Sequence, residues 1–373
     1  MKYRLRPTHT QEKALEQSLE ACRWVYNRTL EVRKQAWEEE QRSVSYFATK
    51  RLLPPWKAAH PFLDAAHSQV LQNVTERVDL AFKAFFRRCK AGAEPGYPRF
   101  RGRGRYDSMT FPQYGNGCQL VVGVLKLSKI GAVRTVQHRP LEGTPKTCTV
   151  RRSSTGKWYA TIVCEVDTQP LTTTGDAVGL DVGLTSFATL STGEQMPCPK
   201  FLRTDEKALK RTQRKLSATA QGTPERTQRR KVVARVHERI AHRRSNFAHQ
   251  ESRRLVNRFD VLVVEDLSVN QMVHNHCLAK SIQDAAWSQF IAHLAYKAAY
   301  AGRQYVAVNP AYTSQDCSQC GHRQKKTLAE RIHHCVCCGL TLDRDHNAAF
   351  NIKRLGLRSL GLVPRSPSTC AWE

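Results

Sequence analysis

The sequence predicts a multi-domain α/β chain: a helical module, a small β-rich module, and a larger α/β unit with an inserted pair of cysteine knuckles. Three observations predict this. Apolar residues recur at spacings of three and four over about the first 90 residues; short β-like runs broken by Gly and Pro follow; beyond about residue 173, apolar strand patterns alternate with helical ones. At roughly 150 residues per domain, 373 residues suit two or three folded units.

Met1 to Arg6 reads as a short strand stopped by Pro7. Leu15, Leu19, Cys22, Tyr26 and Leu30 then form one apolar helical stripe. A second helix, from about Asp64, carries Leu71, Val74, Val78, Phe82 and Phe85 on one face, and the Pro-rich segment from Leu53 to Phe62 separates the two. From Gly96 the runs QLVVGVLKLSKIG, CTVRR and GKWYATIVCEV predict a small barrel or sandwich. Its leading edge, PRFRGRGRY, sets Arg99, Arg101, Arg103 and Arg105 among Phe100 and Tyr106, a composition suited to phosphate contact with aromatic stacking, or else a solvated basic loop.

After the polar linker TQPLTTTGD, AVGLDVGLTSFATLS reads as two strands around a Gly turn. Residues 203–258 hold 17 Lys or Arg against 5 acids and predict a basic helical hairpin broken near Gly222 and Pro224. Such a pair can be merely solvated; the sign imbalance points to a nucleic-acid-facing surface, with Arg229, Arg230 and Lys231 as candidate contacts. FDVLVVEDL is a buried strand, WSQFIAHLAYKAAYAG an amphipathic helix ending at Gly302, and QYVAVNP one more strand. The stretch after Leu362 reads as disordered.

Lys plus Arg number 59 against 32 Asp plus Glu, a net charge of +27, which calls for a polyanionic partner. A membrane partner is disfavoured, since no apolar run approaches roughly 18 residues. The opening residues lack a signal-peptide core, so the 13 cysteines read as reduced cytoplasmic thiols rather than a disulfide framework.

Three acids stand where acids are costly. Asp181 lies among apolar residues in VGLDVGL, Glu265 closes VLVVE, and Asp345 precedes the helical NAAFNIKRL. Each has a plain structural reading: a satisfied core acid for Asp181, a strand-end acid for Glu265 or Asp266, a helix cap for Asp343 or Asp345. Together they supply what hard divalent cations need, a few carboxylates with room for water.

Cys317 and Cys320, then Cys335 and Cys338, form two C-x-x-C knuckles, each followed by Gly. Four thiolates make a closed tetrahedral site for one structural Zn2+. Cys337 competes with Cys338 for register, the Cys-Gly ending favours Cys338, and His333 and His334 read as surface residues.

GLDVG, VVEDL and DRDHNAAFNI resemble the three nuclease motifs of TnpB proteins and of the compact type V CRISPR effectors. The likeness runs nearly throughout the chain, by way of RWVYN, PGYPRFRGRG, LKLSKIG, GKWY and CSQCG. It implies an α/β multi-domain protein with a ribonuclease H-like (RuvC-like) nuclease at 173–353, the basic hairpin at 203–258 within it, and an inserted zinc ribbon at 312–342. A wedge β-barrel would comprise 1–6 and 96–172, a helical recognition domain 7–95, and a tail 354–373. The implied activity is RNA-guided cleavage of double-stranded DNA beside a short flanking motif. Asp181, Glu265 and Asp345 are then catalytic, binding two Mg2+ or Mn2+ ions, and Asp343 is the lesser candidate. Tyr46 and Gln72 fall near positions that read the flanking motif in relatives. The resemblance also implies a guide RNA partner and action on the nucleoid of a prokaryotic cytoplasm; the sequence does not fix the oligomeric state, for which a monomer is favoured.

Two other classes share the scaffold: a ribonuclease H-like transposase acting without RNA, and a catalytically silent RNA-guided repressor. The first lacks a recognisable end-binding domain here, and the second has no need of all three acids.

Overall fold

The computed structural model describes residues 1–327 and 330–362. Its contacts divide the chain into two units, Met1–Val166 and Asp167 onward.

The first unit runs through β1 (Lys2–Arg6), α1 (His9–Glu40), α2 (Tyr46–Arg51), α3 (Leu53–Ala59), a 3-10 turn (Pro61–Ala65) and α4 (Ser68–Lys90). It continues with β2 (Ser108–Phe111), β3 (Cys118–Val121), β4 (Val124–Leu127), β5 (Gly131–Val136), β6 (Thr144–Arg152) and β7 (Trp158–Glu165). Thr8 and Gln11 form a reciprocal capping box that starts α1. The predicted stripe of α1 is buried throughout, as are Leu71, Val74, Val78 and Phe82 of α4.

The segment expected to break the helices is itself helical. Pro54 and Pro61 stand in the first turn of α3 and of the 3-10 helix, where no backbone N–H is needed.

Strand order in the first sheet is β2-β6-β7-β1-β5-β4-β3, with every pairing antiparallel. Laid flat, seven strands would put the edges about 29 Å apart, yet Phe111 and Cys118 are joined by steps that reach about 25 Å at most. The sheet therefore curls into a nearly closed barrel. Helices and barrel share one apolar core, so the two modules expected from the sequence form one compact unit.

The second unit comprises β8 (Ala177–Val182), β9 (Ser186–Leu190), β10 (Gln195–Pro197), α5 (Phe201–Ser217), α6 (Pro224–Arg258) and β11 (Val261–Glu265). It then adds α7 (Val269–Met272), α8 (His276–Ala285), α9 (Trp287–Tyr300), β12 (Gln304–Val308), β13 (Ile332–His334), β14 (Thr341–Asp343) and α10 (Arg344–Ser359). Its main sheet has the order β10-β9-β8-β11-β12; β8, β11 and β12 are parallel and the other pairings antiparallel. Alternation along β11 sends Leu262 and Val264 into the core with α6 and α9, and Val261 and Val263 into a second core with Ile352 of α10. This is a ribonuclease H-like sheet with helices on both faces.

α10 lies unusually close to the sheet. A Cβ on Gly179 would stand 2.1 Å from the Ala349 carbonyl oxygen, and one on Gly356 would stand 2.4 Å from Val263. Only glycine admits that approach.

The end of the expected wedge segment, up to residue 172, is strapped to this unit. Gln169 and Leu171 donate backbone N–H groups to Tyr300 and Ala301 at 3.0 Å, and the buried Arg303 donates to the Thr172 carbonyl at 2.8 Å. α10 also runs past residue 353 to Ser359, so no tail begins at 354. The expected disorder after Leu362 lies outside the described residues.

Candidate functional site

Residue parity brings two acids together before any distance is measured. Asp181 shares the face of Gly179, and Glu265 shares that of Val261 and Val263; α10 covers this face. β8 and β11 are parallel, with Leu180 opposite Val264, so Asp181 and Glu265 come one step later, at neighbouring carboxyl ends. In open α/β sheets that edge is where ligands bind.

α10 begins at the same place. Asp343 is its N-cap: its side chain accepts the backbone N–H groups of Asp345 and His346 at 3.0 Å. Asp345, in the first turn, is thereby freed from capping. Its Oδ2 would stand 4.0 Å from a Cβ on Gly183, just past β8, and its Oδ1 lies 3.2 Å from Arg344.

The electrostatics follow from this convergence. Burial pushes the Asp181 carboxyl well above its usual range, and the charges of Glu265 and Asp345 push it the same way. Burial also raises Glu265, while a hydrogen bond from Thr313 opposes the shift. A buried Asp181 pushed further the same way by two neighbouring acids fits a divalent cation, whose charge reverses that penalty. They are more widely spread than ligands of a single ion: among the described residues, only the four cysteines bring three or more ligand atoms within 4.8 Å of one another.

Those cysteines are Cys317, Cys320, Cys335 and Cys338. Sγ of Cys317 lies 3.6 Å from that of Cys338, and Cys320 lies 3.6 Å from Cys335. A tetrahedron of zinc–sulfur bonds of about 2.3 Å has edges of about 3.8 Å, so the donor set fits a structural metal. Burial acts to raise the Cys335 thiol, but the N–H groups of Cys338 and Cys337 prevail and bring it down to about 7. Cys337 itself is exposed. His333, expected at the surface, is fully buried and faces Lys326.

Three residues at this site carry little sequence signal. Thr313 donates its hydroxyl to Glu265 Oε1 at 2.6 Å. Asn347 and Asn351, both buried on α10, donate to the Asp316 carbonyl at 2.9 and 2.7 Å, and Asn351 also reaches the Thr313 carbonyl at 2.9 Å. The only clue was two amides one helical turn apart within NAAFNI.

The basic candidates are spread over the surface. Arg99, Arg101, Arg103 and Arg105 are exposed, whereas Tyr106, expected to stack on bases, is buried and receives a hydrogen bond from Arg77. The Arg101 backbone is held by Asn27 at 2.8 and 3.0 Å. On α6, Arg230 and Lys231 are exposed, and Arg229 pairs with Glu225 at 3.3 Å. Asp205 anchors the hairpin by receiving Arg239 at 2.6 Å and Arg243 at 3.2 Å. Tyr46 opens α2 beneath Lys50, and Gln72 lines a 460 Å³ cavity with Phe47, Lys50, Leu53, Lys57 and Leu71.

Fold and site thus define a ribonuclease H-like protein with a four-cysteine insertion. Family models match at residues 161–276 ("Probable transposase"), 287–352 ("Cas12f1-like, TNB domain") and 1–42 ("Helix-turn-helix domain"). The last span is a strand and one long helix here. A "Putative RNA-guided DNA endonuclease" of Streptomyces pristinaespiralis is 39% identical over 95% of this chain and 89% of its own. InsQ of Escherichia coli K12, with the same description, is 32% identical over 95% and 91%. The Cas12f1–sgRNA–target DNA complex aligns at 15% identity with a TM-score of 0.37, over 95% of this chain and 98% of that one. The chain belongs to the TnpB family.

Proposed function

We propose that this protein is an RNA-guided DNA endonuclease of the TnpB type, with Asp181, Glu265 and Asp345 as its catalytic acids. The observation that carries the reading is the convergence of these carboxylates at the carboxyl ends of β8 and β11 and the start of α10, where Asp181 resists ionisation without a cation. Relatives 39% and 32% identical bear the same activity in their descriptions.

Two Mg2+ or Mn2+ ions, when bound at these carboxylates, would activate water and neutralise charge on the leaving oxygen of a phosphodiester. Asp181 and Glu265 offer fixed oxygens from rigid strands. Asp345 adds another from the helix start, whose positive end favours the phosphate's negative charge. Cys317, Cys320, Cys335 and Cys338 hold one Zn2+ in a closed, structural role.

Guide RNA supplies sequence by base pairing to double-stranded target DNA, and the protein reads a short flanking motif. Tyr46 and Gln72 are assigned to that motif. Arg99, Arg101, Arg103, Arg105, Arg229, Arg230 and Lys231 are assigned to phosphates. The protein acts as a monomer on the nucleoid of a prokaryotic cytoplasm; no described helix is long and apolar enough to cross a membrane.

The test is purification from cells, sequencing of any RNA that copurifies, and incubation of the complex with matching DNA and Mg2+. Guide-dependent cutting by the wild type and none by Asp181→Ala is the expected result. Cutting without RNA would replace this reading by a transposase.

A further inference from the structure

We propose that Thr313 is a positioning residue for Glu265, and that the cysteine ribbon sets Thr313 in place through α10. The proposal rests on the nuclease reading of the three acids.

The argument begins with one proton. The Thr313 hydroxyl has two acceptors, Glu265 Oε1 at 2.6 Å and the Pro310 carbonyl at 3.0 Å. A hydroxyl donates to one acceptor at a time, and the shorter contact, to the Glu265 carboxyl oxygen, prevails. Glu265 Oε1 is thereby held, which restrains rotation of the carboxylate and the direction of its other oxygen. Thr313 is 5% exposed, so water does not readily replace its hydrogen bond.

Thr313 is in turn held from outside its own loop. Asn351 donates to the carbonyls of Thr313 and Asp316, and Asn347 donates to Asp316. The Asn347 Oδ1 accepts the backbone N–H of Ser318 at 2.9 Å, inside the first cysteine knuckle. Arg354 closes the network: it donates to the Ser318 carbonyl at 3.2 Å and to Asn351 Oδ1 at 2.7 Å. The three side chains that hold the loop, Asn347, Asn351 and Arg354, all stand on α10, the helix whose first turn carries Asp345. One rigid element therefore sets both the third acid and the residue that orients the second. A knuckle emptied of its metal loosens the Ser318 end of that network and, through it, the Glu265 carboxylate.

The test titrates Mn2+ alone into full-length, zinc-loaded protein freed of nucleic acid, reading free Mn2+ by electron paramagnetic resonance, with Asp181→Ala defining the carboxylate-dependent sites. Thr313→Val keeps shape and removes the hydroxyl; Thr313→Ser restores it. Loss of such a supporting hydrogen bond should weaken Mn2+ about 10- to 100-fold in Thr313→Val, with Thr313→Ser near wild type. Cys320→Ser should weaken the same sites, and the double variant should be no worse than the weaker single one. The Mn2+ concentration for half-maximal guided cleavage should rise in parallel. Thermal melts identify a variant that has not folded, and Asn351→Asp then serves in its place, since it removes the amide that holds Thr313.

Wild-type affinity in Thr313→Val, or Thr313→Ser as impaired as Thr313→Val, overturns the positioning role while leaving the nuclease reading intact. Identical Mn2+ binding by wild type and Asp181→Ala overturns that reading, and this proposal with it.

Discussion

Asp343 accepts the backbone N–H groups of both Asp345 and His346, so two acids two residues apart are divided between capping a helix and facing the other carboxylates. The division predicts opposite phenotypes. Asp343→Ala should cost roughly 0.5–2 kcal/mol of stability and still cut DNA, and Asp343→Asn, itself a good cap, should be nearly silent. Asp345→Ala should fold normally and not cut. A folded but inactive Asp343→Ala beside an active Asp345→Ala would reverse the assignment.

Alanine at Asp181, Glu265 or Asp345 should lower guided cleavage at least about a hundredfold and leave RNA and DNA binding largely intact. The losses should not add, because the acids serve one site. Single-turnover cleavage and filter binding on the same preparations separate the two effects.

The metal-free site should have a distinctive pH dependence. Asp181 binds its proton more tightly folded than unfolded, so stability falls as pH rises from the unfolded value of about 3.8 toward the higher folded one. At pH 7 in EDTA, well above the unfolded value, Asp181 is therefore a liability. Asp181→Asn should melt higher than wild type there, and added Mg2+ should stabilise the wild type alone. Equal melting in EDTA would mean the acids are not crowded in solution.

Zinc should be lost from a Cys320→Ser, Cys335→Ser variant as judged by elemental analysis, with lower stability of the second unit, because metal-binding energy at such a site is folding energy. Full occupancy in that variant would place the metal elsewhere.

Nucleic-acid affinity should fall steeply with salt. Replacing Arg229, Arg230 and Lys231 with Ala should flatten the log–log slope by between about two and three, at roughly 0.7–0.9 per phosphate neutralised. The effect should lie toward the lower figure because Arg229 already has Glu225 as a partner. An unchanged slope would put this stretch of α6 away from the nucleic acid.

Much of the site could be read from the chain because its chemistry is local and conspicuous. An acid inside VGLDVGL or at the end of VLVVE contradicts its neighbours, and paired knuckles announce a metal through spacing alone. Thr313, Asn347 and Asn351 gave no such sign, since a threonine in a loop or an asparagine on a helix is ordinary until its partner is known, and theirs are backbone carbonyls and a carboxylate distant in sequence. Tyr106 misled for the opposite reason: basic neighbours suggested stacking, while Arg77, 29 residues earlier, draws its ring into the core. The prolines of α3 misled because their meaning depends on position within a helix.

The three acids reach one point from strands and a helix far apart in the chain. A ribosome adding roughly 5–20 residues per second needs about 4–16 s to go from Glu265 to Asp345, 80 residues later (345 − 265). For that interval β8 and β11 are already synthesised, yet the third acid of the proposed trio does not exist. On the proposed assignment, then, the growing chain gains its full set of acids only as α10 seats on the sheet.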